Sequence, residues 1–253
     1  MNNIEYENMA NFERSYWWHK GRLFLIRLWL EKILAEFSGT GKPQIFEVGC
    51  GTGATNVVLN EYGNTTSMDV SSEAVKYCKQ RGIKNVFVAD IVTMNISKYK
   101  GKFDVALALD VLEHIQDDVE AMVQVYKLLK PGGYFLITVP AYKFLWSHHD
   151  EALHHKRRYH SLEITQKLRD VGFKITKRSH FVFTLFFPVL FIKVFVGNFF
   201  GRTAYPKTSS YVKLPDSLNN LLTYILKVEA WVLNYVYLPL GTTIFIVSHK
   251  PKN

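Results

Sequence analysis

Side chains suited to acid–base chemistry are concentrated between Trp146 and His160. This stretch contains five histidines, two acidic residues and three basic residues, and it follows a predicted strand. A histidine near neutral pKa can take the proton of a hydroxyl group, a carboxylate can orient that histidine, and guanidinium groups can bind an anion. We therefore predict a substrate site in which His149 or His154 is the base, Asp150 orients it, and Arg157 and Arg158 bind an anionic group.

Two other interpretations of this stretch stay open. It can hold a metal, because helical spacing would bring Asp150 near His154 and Glu151 near His155. The candidate ligands are then His148, His149, Asp150, His154 and His155. It can also be a solvated polar helix with scattered ion pairs. Because no cysteine joins the cluster, we predict a site without a metal.

A glycine-rich loop from Gly49 to Gly53 follows the mostly apolar run Gln44–Val48. The run is typical of a buried parallel strand, and the glycines let the backbone turn sharply and let a ligand approach it. The next segment, Ala54–Tyr62, is compatible with a helix whose first N–H groups would face that ligand. Glycine clusters also form ordinary turns, so the loop alone does not establish a nucleotide site.

Acidic residues end the next two predicted strands. Thr65–Asp69 ends twenty positions after Gly49, where a nucleotide-binding unit places a carboxylate for ribose hydroxyls, and Val86–Asp90 ends in the same way. A dinucleotide fingerprint requires its last glycine at the position of Ala54. The spacing therefore disfavours a nicotinamide cofactor.

Taken together, these motifs resemble those of the class I S-adenosylmethionine-dependent methyltransferases. The segments that carry the resemblance are Glu47–Gly53, Asp69, Ala89-Asp90, Phe103-Asp104, Asp110–His114 and Leu129–Gly133. They span about residues 44 to 140, and the overall layout is similar to methyltransferases of isoprenoid quinone and polyprenol-linked glycan pathways. The resemblance implies S-adenosylmethionine as the cofactor. It implies cofactor contacts from Glu47, Gly49, Cys50, Gly51, Gly53, Asp69, Val70, Asp90, Ile91, Asp110, Val111 and His114.

The resemblance also implies individual roles. The loop lies against the methionine portion of the cofactor, Asp69 accepts hydrogen bonds from the ribose, Asp90 accepts one from adenine, and Glu47 supports the loop or meets the cofactor's amino group. The run Asp110–His114 differs from the Asn/Asp-Pro-Pro-Tyr/Phe run of enzymes that methylate exocyclic base amines, so that activity is disfavoured. His114 can act as a base or as a local hydrogen-bonding residue.

Alternating strands and helices predict the fold that positions these groups. The fold class is α/β, with a doubly wound, mostly parallel seven-stranded sheet, an N-terminal helical cap and a hydrophobic helical insertion before the last strand. The remaining predicted strands are Phe103–Leu109, Gly132–Val139, Phe173–Arg178 and Thr242–Ser248, and the remaining helices are Leu23–Phe37, Ser71–Arg81, Asp117–Leu129 and Ser161–Val171. We predict four parts, namely 1–43, 44–180, 181–241 and 242–253.

The N-terminal segment is rich in aromatic side chains. Its residues Tyr16, Trp17, Trp18, His19 and Arg22 can form a hydrophobic cap, take part in catalysis, or form a flap that excludes water from the cofactor crevice.

A second aromatic segment, Phe181–Phe200, is too apolar for an ordinary connection between strands. Its uncharged part is shorter than the roughly 20 residues of a spanning helix, and Pro188 would bend it. We predict that it lies in a membrane interface, with Lys193, Arg202, Lys207 and Lys213 facing lipid phosphates. Apolar residues at helical intervals in Ser217–Tyr237 fit a membrane face, core packing or a dimer interface equally well.

Composition sets broader bounds. The formal charge of +9 favours anionic partners in general, and Cys50 and Cys78 have no evident disulfide partner, which indicates a reducing compartment. We expect a cytoplasmic protein without a signal peptide, peripheral on the cytoplasmic membrane face, that methylates oxygen of a lipid-linked, prenylated or glycan acceptor. A homodimer is compatible with this expectation and nucleic acid is disfavoured as a partner. The alternatives are a soluble small-molecule or RNA methyltransferase and a catalytically silent cofactor-binding or scaffold protein.

Overall fold

A single seven-stranded sheet organises the protein. The computed structural model describes residues 3–37, 39–191 and 213–252. The strands are β1 (Gln44–Val48), β2 (Asn64–Asp69), β3 (Val86–Val88), β4 (Phe103–Leu109), β5 (Leu129–Pro140), β6 (Lys174–Phe181) and β7 (Thr243–His249). Their order across the sheet is β3-β2-β1-β4-β5-β7-β6, with β7 antiparallel to both of its neighbours and the other pairings parallel. The predicted fold class is confirmed.

Parallel pairing brings the candidate cofactor residues to one edge. Val48 of β1 is paired with Met68 of β2 and with Ala108 of β4. The chain therefore leaves all three strands at the same carboxyl edge, which is where ligands bind in open α/β sheets. Gly49, Asp69 and Asp110 lie at this edge.

Helices cover both faces of the sheet. They are α1 (Asn3–Phe12), α2 (Trp17–Leu34), α3 (Ala54–Tyr62), α4 (Ser72–Gln80), α5 (Asp118–Leu128), α6 (His148–Ala152), α7 (Ser161–Val171), α8 (Phe186–Phe191) and α9 (Asp216–Leu233). One core layer joins the sheet to α5 and α7, and the other joins it to α2 and α9. The N-terminal helical cap of the prediction is thus present as α1 and α2.

The predicted start of the second helix, Leu23, is wrong by about two turns. Helix α2 already begins at Trp17; its N-cap residue Tyr16 makes no side-chain capping hydrogen bond, and the side chain of Asn219 in α9 takes that place. The Oδ1 atom of Asn219 accepts a hydrogen bond from the Trp17 backbone N–H at 2.9 Å, and its amide group donates to the Ser15 carbonyl at 3.0 Å. Local sequence cannot reveal a cap that comes from a distant helix.

Close packing joins α9 to α2. A Cβ atom at Gly21 would lie only 2.6 Å from Leu226, so the glycine allows the two helices to approach. Leu226, Ala230 and Leu233 are fully buried in the same layer. Of the three interpretations of Ser217–Tyr237, core packing therefore accounts for one face of this helix.

A buried carboxylate ties α9 to the end of the sheet. Glu229 accepts hydrogen bonds from the backbone N–H of Phe183 at 2.7 Å and from the N–H and hydroxyl of Thr184 at 3.1 and 2.9 Å. Phe186, which begins α8, is buried, so its predicted place in a membrane interface is wrong. The other predicted interface residues from Lys193 to Lys207 lie outside the described residues. The predicted four-part division stays a prediction.

Within the described ranges, we find no helix that is both long enough and apolar enough to cross a bilayer.

Replacing Asn219 by Ala tests the inter-helix cap. We expect Asn219→Ala to lower the free energy of unfolding by about 0.5–2 kcal/mol, because the first turn of α2 loses its acceptor. Urea unfolding measures the change. Asn220→Ala is the matched control, since Asn220 is exposed on the same helix and its loss should change stability by less than about 0.5 kcal/mol. Equal effects of the two substitutions would contradict the cap.

Candidate active site

The glycine loop has the backbone conformation that the sequence indicates. Gly49, Gly51 and Gly53 have φ values of +71°, +51° and +95°, which L side chains rarely adopt. The N–H groups of Gly49 and Cys50 both donate to the Met68 carbonyl, at 2.8 and 3.0 Å, and so fasten the loop to β2. A Cβ atom at Gly49 would lie 2.4 Å from Val111, so only glycine fits there. The loop is a bare backbone surface at the carboxyl edge.

Asp69 braces the loop and is largely buried. Its two carboxylate oxygens accept hydrogen bonds from the N–H groups of Gly51 at 3.0 Å and Ser71 at 2.9 Å. Burial raises the pKa of Asp69 above its usual range, although these two hydrogen bonds oppose the shift. Each carboxylate oxygen can accept a further hydrogen bond, so the group can still receive ribose hydroxyls.

Glu47 is a buried carboxyl group beneath the loop. Its Oε2 accepts a hydrogen bond from the Ser67 hydroxyl at 2.6 Å, and Ser67 in turn accepts one from Asn56. Burial raises the pKa of Glu47 to about 8, against the lowering effects of Ser67 and of the Arg22 charge. A cationic amino group placed nearby would restore the ionised form. Glu47 thus fits the methionine end of S-adenosylmethionine, and its predicted role stays a prediction.

The remaining predicted cofactor residues lie around the same edge. Asp90 is exposed and accepts a hydrogen bond from the Val92 N–H at 2.9 Å, Ile91 is buried, and Val70 is 67% exposed. Cys50 is buried in the loop, with its sulfur 3.5 Å from that of Cys78. The two cysteines form no disulfide, in agreement with the prediction, although the spacing of the two residues did not indicate that they would be so close. Both are free thiols.

Asp110 joins the cofactor edge to the N-terminal helices. It has a φ of +58°, and its Oδ2 lies 2.5 Å from Nη1 of Arg22 in α2. The ion pair is mostly shielded from solvent, with 13% and 21% of the side chains exposed. The Arg22 guanidinium lies 4.6 Å from the centre of the Trp18 ring. This contact places the start of α2 over the crevice.

Helix α1 lies over the glycine loop. The sulfur of Met9 is 3.0 Å from the position that a Cβ atom would take at Gly51. Glu13 forms an ion pair with Arg81, and Arg81 also donates to the Ala10 carbonyl at 3.2 Å. Of the interpretations of the N-terminal segment, the cap and the flap both agree with this arrangement. His19 is buried, and burial holds its pKa well below the usual range.

Asp150 organises the polar stretch after β5. It is fully buried, and its carboxylate accepts hydrogen bonds from Arg158 at 2.7 and 2.9 Å and from the Ser147 N–H at 2.8 Å. The Nδ1 atom of His155 lies 2.8 Å from the Asp150 Oδ1. Burial alone would raise the pKa of Asp150, but the hydrogen bonds from His155 and Arg158 hold it below its usual range.

The predicted helical pairings in this stretch are wrong. Helix α6 ends at Ala152, and His154 has a φ of +55°, so the chain turns before the spacing can repeat. Asp150 consequently meets His155 instead of His154, and Glu151 meets His148 at 2.9 Å. Asp150 therefore orients His155.

Both predicted anion-binding arginines are used within the chain. In addition to Asp150, Arg158 donates to the Ala141 carbonyl at 3.1 Å. Arg157 donates to the Gln116 carbonyl at 2.8 Å and lies 3.1 Å from Asp118. These contacts hold the loop in shape, and the geometry gives no support to an anionic group bound there. The assignment of His149, Asp150, His154, Arg157 and Arg158 as catalytic stays a prediction.

Histidines from two loops meet beside Asp110. The rings of His114 and His155 are 4.7 Å apart, and those of His149 and His155 are 6.4 Å apart. Burial, assisted by the neighbouring His155, lowers the pKa of His114 to about 4. Burial also lowers the pKa of His149, whereas His154 is exposed. His114 and His149 are therefore neutral near pH 7.

Sequence reasoning assigned no role to Glu113, which lies at the centre of this cluster. Glu113 is fully buried, and neither carboxylate oxygen has a hydrogen-bond partner among the described residues. Burial first, and the nearby charge of Asp110 second, raise its pKa well above the usual range. Its position directly before His114, in the turn that follows β4, was the available signal.

Comparisons with known proteins agree with this geometry. Residues 46–137 match the model of the methyltransferase domain family. The chain is 29% identical over 144 residues to the ubiquinone biosynthesis O-methyltransferase of Escherichia coli O7:K1, which covers 52% of this chain and 60% of that protein. The chain thus spans only about three fifths of that relative's length.

Solved structures show the same fold at low identity. A SAM-dependent methyltransferase from Archaeoglobus fulgidus superimposes with a TM-score of 0.53 at 17% identity, over 89% of this chain and 93% of that one. A TehB-like SAM-dependent methyltransferase from Corynebacterium glutamicum gives a TM-score of 0.57 at 16% identity, over 99% and 100%. Residues 46–137, which contain the glycine loop, Asp69 and Asp110, thus form a methyltransferase domain, and the whole chain has the fold of the S-adenosylmethionine-dependent methyltransferases it is compared with.

Proposed function

We propose that the protein transfers a methyl group from S-adenosylmethionine to a hydroxyl oxygen of a lipid-linked, prenylated or glycan acceptor at a membrane surface. The observation that carries this proposal is that the cofactor edge adjoins a cluster of partly buried histidines around the buried Glu113. Asp110 follows β4 directly, and Glu113 and His114 occupy the next turn of the chain. An oxygen acceptor needs such a neighbour, because its hydroxyl proton must leave during or after attack.

The chain's own residues divide the work. When bound, S-adenosylmethionine supplies an activated methyl group on a sulfonium, which needs alignment more than covalent help. Gly49–Gly53 presents the backbone surface for it, while Glu47 and Asp69 offer carboxylates to its amino and hydroxyl groups. His149 accepts the proton of the acceptor hydroxyl as the oxygen–carbon bond forms and the sulfur–carbon bond breaks. Helices α1 and α2 keep water from the crevice.

Exposed apolar side chains support the proposed contact with a membrane. On α9 and in the turn that follows it, they recur at helical spacing: Leu221, Tyr224, Val228, Trp231 and, just after the helix, Tyr235, which are 44–73% exposed. Phe187 and Phe191 of α8 are 57% and 60% exposed. Trp and Tyr are favoured at bilayer interfaces, and the net charge of +9 suits an anionic surface. Helix α8 follows the turn that Glu229 fixes to α9, so the two surfaces adjoin.

Transfer of label from the cofactor tests the function. We expect the purified protein, given methyl-labelled S-adenosylmethionine and a bacterial lipid extract, to place label in an organic-soluble product that survives mild alkali, as a methyl ether does and a methyl ester does not. Boiled protein is the control. Label that appears only in water-soluble products or RNA would favour the soluble alternative. Cofactor binding with no turnover on any fraction would favour the silent protein.

Gly49→Ala tests the cofactor loop. We expect this substitution to weaken binding of S-adenosylhomocysteine by more than about tenfold in calorimetry, because the new methyl group meets Val111 and the φ of +71° becomes strained. Gly101→Ala is the matched control. Its φ is +64°, but nothing lies within 4 Å of the added methyl group and it is far from the carboxyl edge. If Gly49→Ala binds as the parent does, the loop is not the cofactor surface.

Cosedimentation with liposomes tests the membrane surface. We expect the protein to sediment with vesicles of phosphatidylglycerol and phosphatidylcholine at low salt, and the variants Phe187→Ser/Phe191→Ser and Trp231→Ser/Tyr235→Ser to stay largely in the supernatant. Each lost side chain forfeits about 1.5–3 kcal/mol of burial. Leu162→Ser, which is equally exposed at 57% but lies on α7 against the other face of the sheet, should bind as the parent does. A parent protein that stays soluble and dimeric would assign the surface to a second copy.

A further inference from the structure

Three side chains, those of Glu113, His114 and His155, meet beside the carboxyl edge of the sheet. One ligand atom each from Glu113, His114 and His155 can be chosen so that all lie within 4.8 Å of one another. Two of the residues come from the turn after β4 and the third from the loop after α6. We propose that these three residues bind a divalent transition-metal ion, such as Zn²⁺, that holds the acceptor hydroxyl.

The separations suit an ion better than hydrogen bonds. The Glu113 Oε1 and His155 Nε2 atoms are 4.0 Å apart, which is too long for a hydrogen bond. Two ligands about 2.1 Å from a Zn²⁺ ion can be at most about 4.2 Å apart, so small side-chain rotations bring all three atoms into reach. The separation of Glu113 Oε1 and His155 Nε2 is therefore wide enough for one ion between them.

Glu113 supplies an independent reason. It is fully buried and both of its oxygens are without a hydrogen-bond partner in the part of the chain that the structure describes. An unpaired buried carboxyl group is costly, and native proteins satisfy such groups with a cation or a hydrogen-bond donor. A bound divalent ion would compensate this cost directly.

The surroundings of His155 match those of a metal ligand. Its Nδ1 lies 2.8 Å from the Asp150 carboxylate, which can only accept, so Nδ1 carries the hydrogen and Nε2 keeps its lone pair toward Glu113. Asp150 is in turn fixed by Arg158 at 2.7 and 2.9 Å. Metal-binding histidines usually donate their other ring N–H to a carboxylate or carbonyl, which sets both tautomer and ring orientation.

Two histidines and one glutamate form a site with open positions, as in catalytic zinc centres. This role rests on the proposed function: the acceptor hydroxyl oxygen occupies an open position, and the ion lowers its pKa. The hydroxyl proton leaves to His149 or solvent, the oxygen forms its bond to the methyl carbon, and the sulfur–carbon bond breaks to give the neutral thioether. The ion is neither oxidised nor reduced. A free hydroxyl is therefore the required acceptor group.

Calorimetry with Zn²⁺ on untagged, chelator-treated protein tests the site without any need for turnover. We expect one equivalent to bind, with affinity lowered by more than about a hundredfold in Glu113→Gln and in His155→Asn. His148→Ala is the matched control, because His148 also pairs with a carboxylate nearby, Glu151, but lies outside the cluster. It should bind Zn²⁺ as the parent does. Circular dichroism establishes that each variant is folded.

Two results would overturn the site: no saturable Zn²⁺ binding by the parent, or unchanged binding in a folded Glu113→Gln or His155→Asn variant. Loss of binding in His148→Ala with retention in Glu113→Gln would assign the ion to the α6 histidines instead.

Thermal unfolding gives a second readout, since Zn²⁺ should raise the Tm of the parent and not that of Glu113→Gln. Full methyl transfer by chelator-treated protein would refute the ion's role and leave the proposed function standing. Zn²⁺ binding without methyl transfer would refute the proposed function and leave the metal site standing.

Discussion

A group of buried carboxyl side chains lies at the carboxyl edge of the sheet, and the cost of ionising them there constrains the rest of the site. Glu47 and Glu113 are fully buried, Asp69 nearly so, and burial raises the pKa of each. Arg22 forms an ion pair with Asp110, and its charge also acts on Glu47 and Glu113. One guanidinium cannot compensate several carboxyl groups in a medium of low dielectric constant. The edge is therefore suited to cationic ligands, and both the sulfonium cofactor and the proposed metal ion meet that requirement.

The position of Arg22 depends on residues at the far end of the chain. Arg22 lies one position after Gly21, the residue through which α2 packs against Leu226 of α9. Asn219 of α9 also caps the first turn of α2. Helix α9, which lies in the predicted insertion 181–241, thus has two faces. Its core face positions α2, the helix that closes the crevice. Its outer face carries the exposed aromatic residues. A membrane contact on that face would therefore act on the position of Arg22 through α2.

The parts of this account that follow from sequence are the local ones. Glycines at three alternate positions after an apolar strand specify the loop, and acids at the ends of the next strands specify the edge, because parallel pairing brings strand ends together. The seven-stranded, mostly parallel sheet followed from the alternation of strands and helices together with the family resemblance.

Other features depend on contacts that the sequence does not display. The positive φ of His154 breaks α6 and exchanges the partners of Asp150 and Glu151. The cap from Asn219 extends α2 by about two turns beyond the apolar pattern. The importance of Glu113 comes from its burial without a hydrogen-bond partner among the residues that the structure describes, which only the folded state reveals. For the same reason the ion pairs of Arg157 and Arg158, and the contact of Cys50 with Cys78, could not be anticipated.

Proton release on cofactor binding tests the central claim most directly. At pH 6.5 Glu47 is protonated in the free protein, because its pKa is raised to about 8, and a cationic ligand beside it should lower that pKa and expel the proton. Calorimetry of S-adenosylmethionine binding in buffers of different ionisation enthalpy counts the protons. We predict release of up to about one proton by the parent and close to none by Glu47→Gln. No net release by the parent, or the same release by Glu47→Gln, would contradict a carboxyl edge built to receive positive charge.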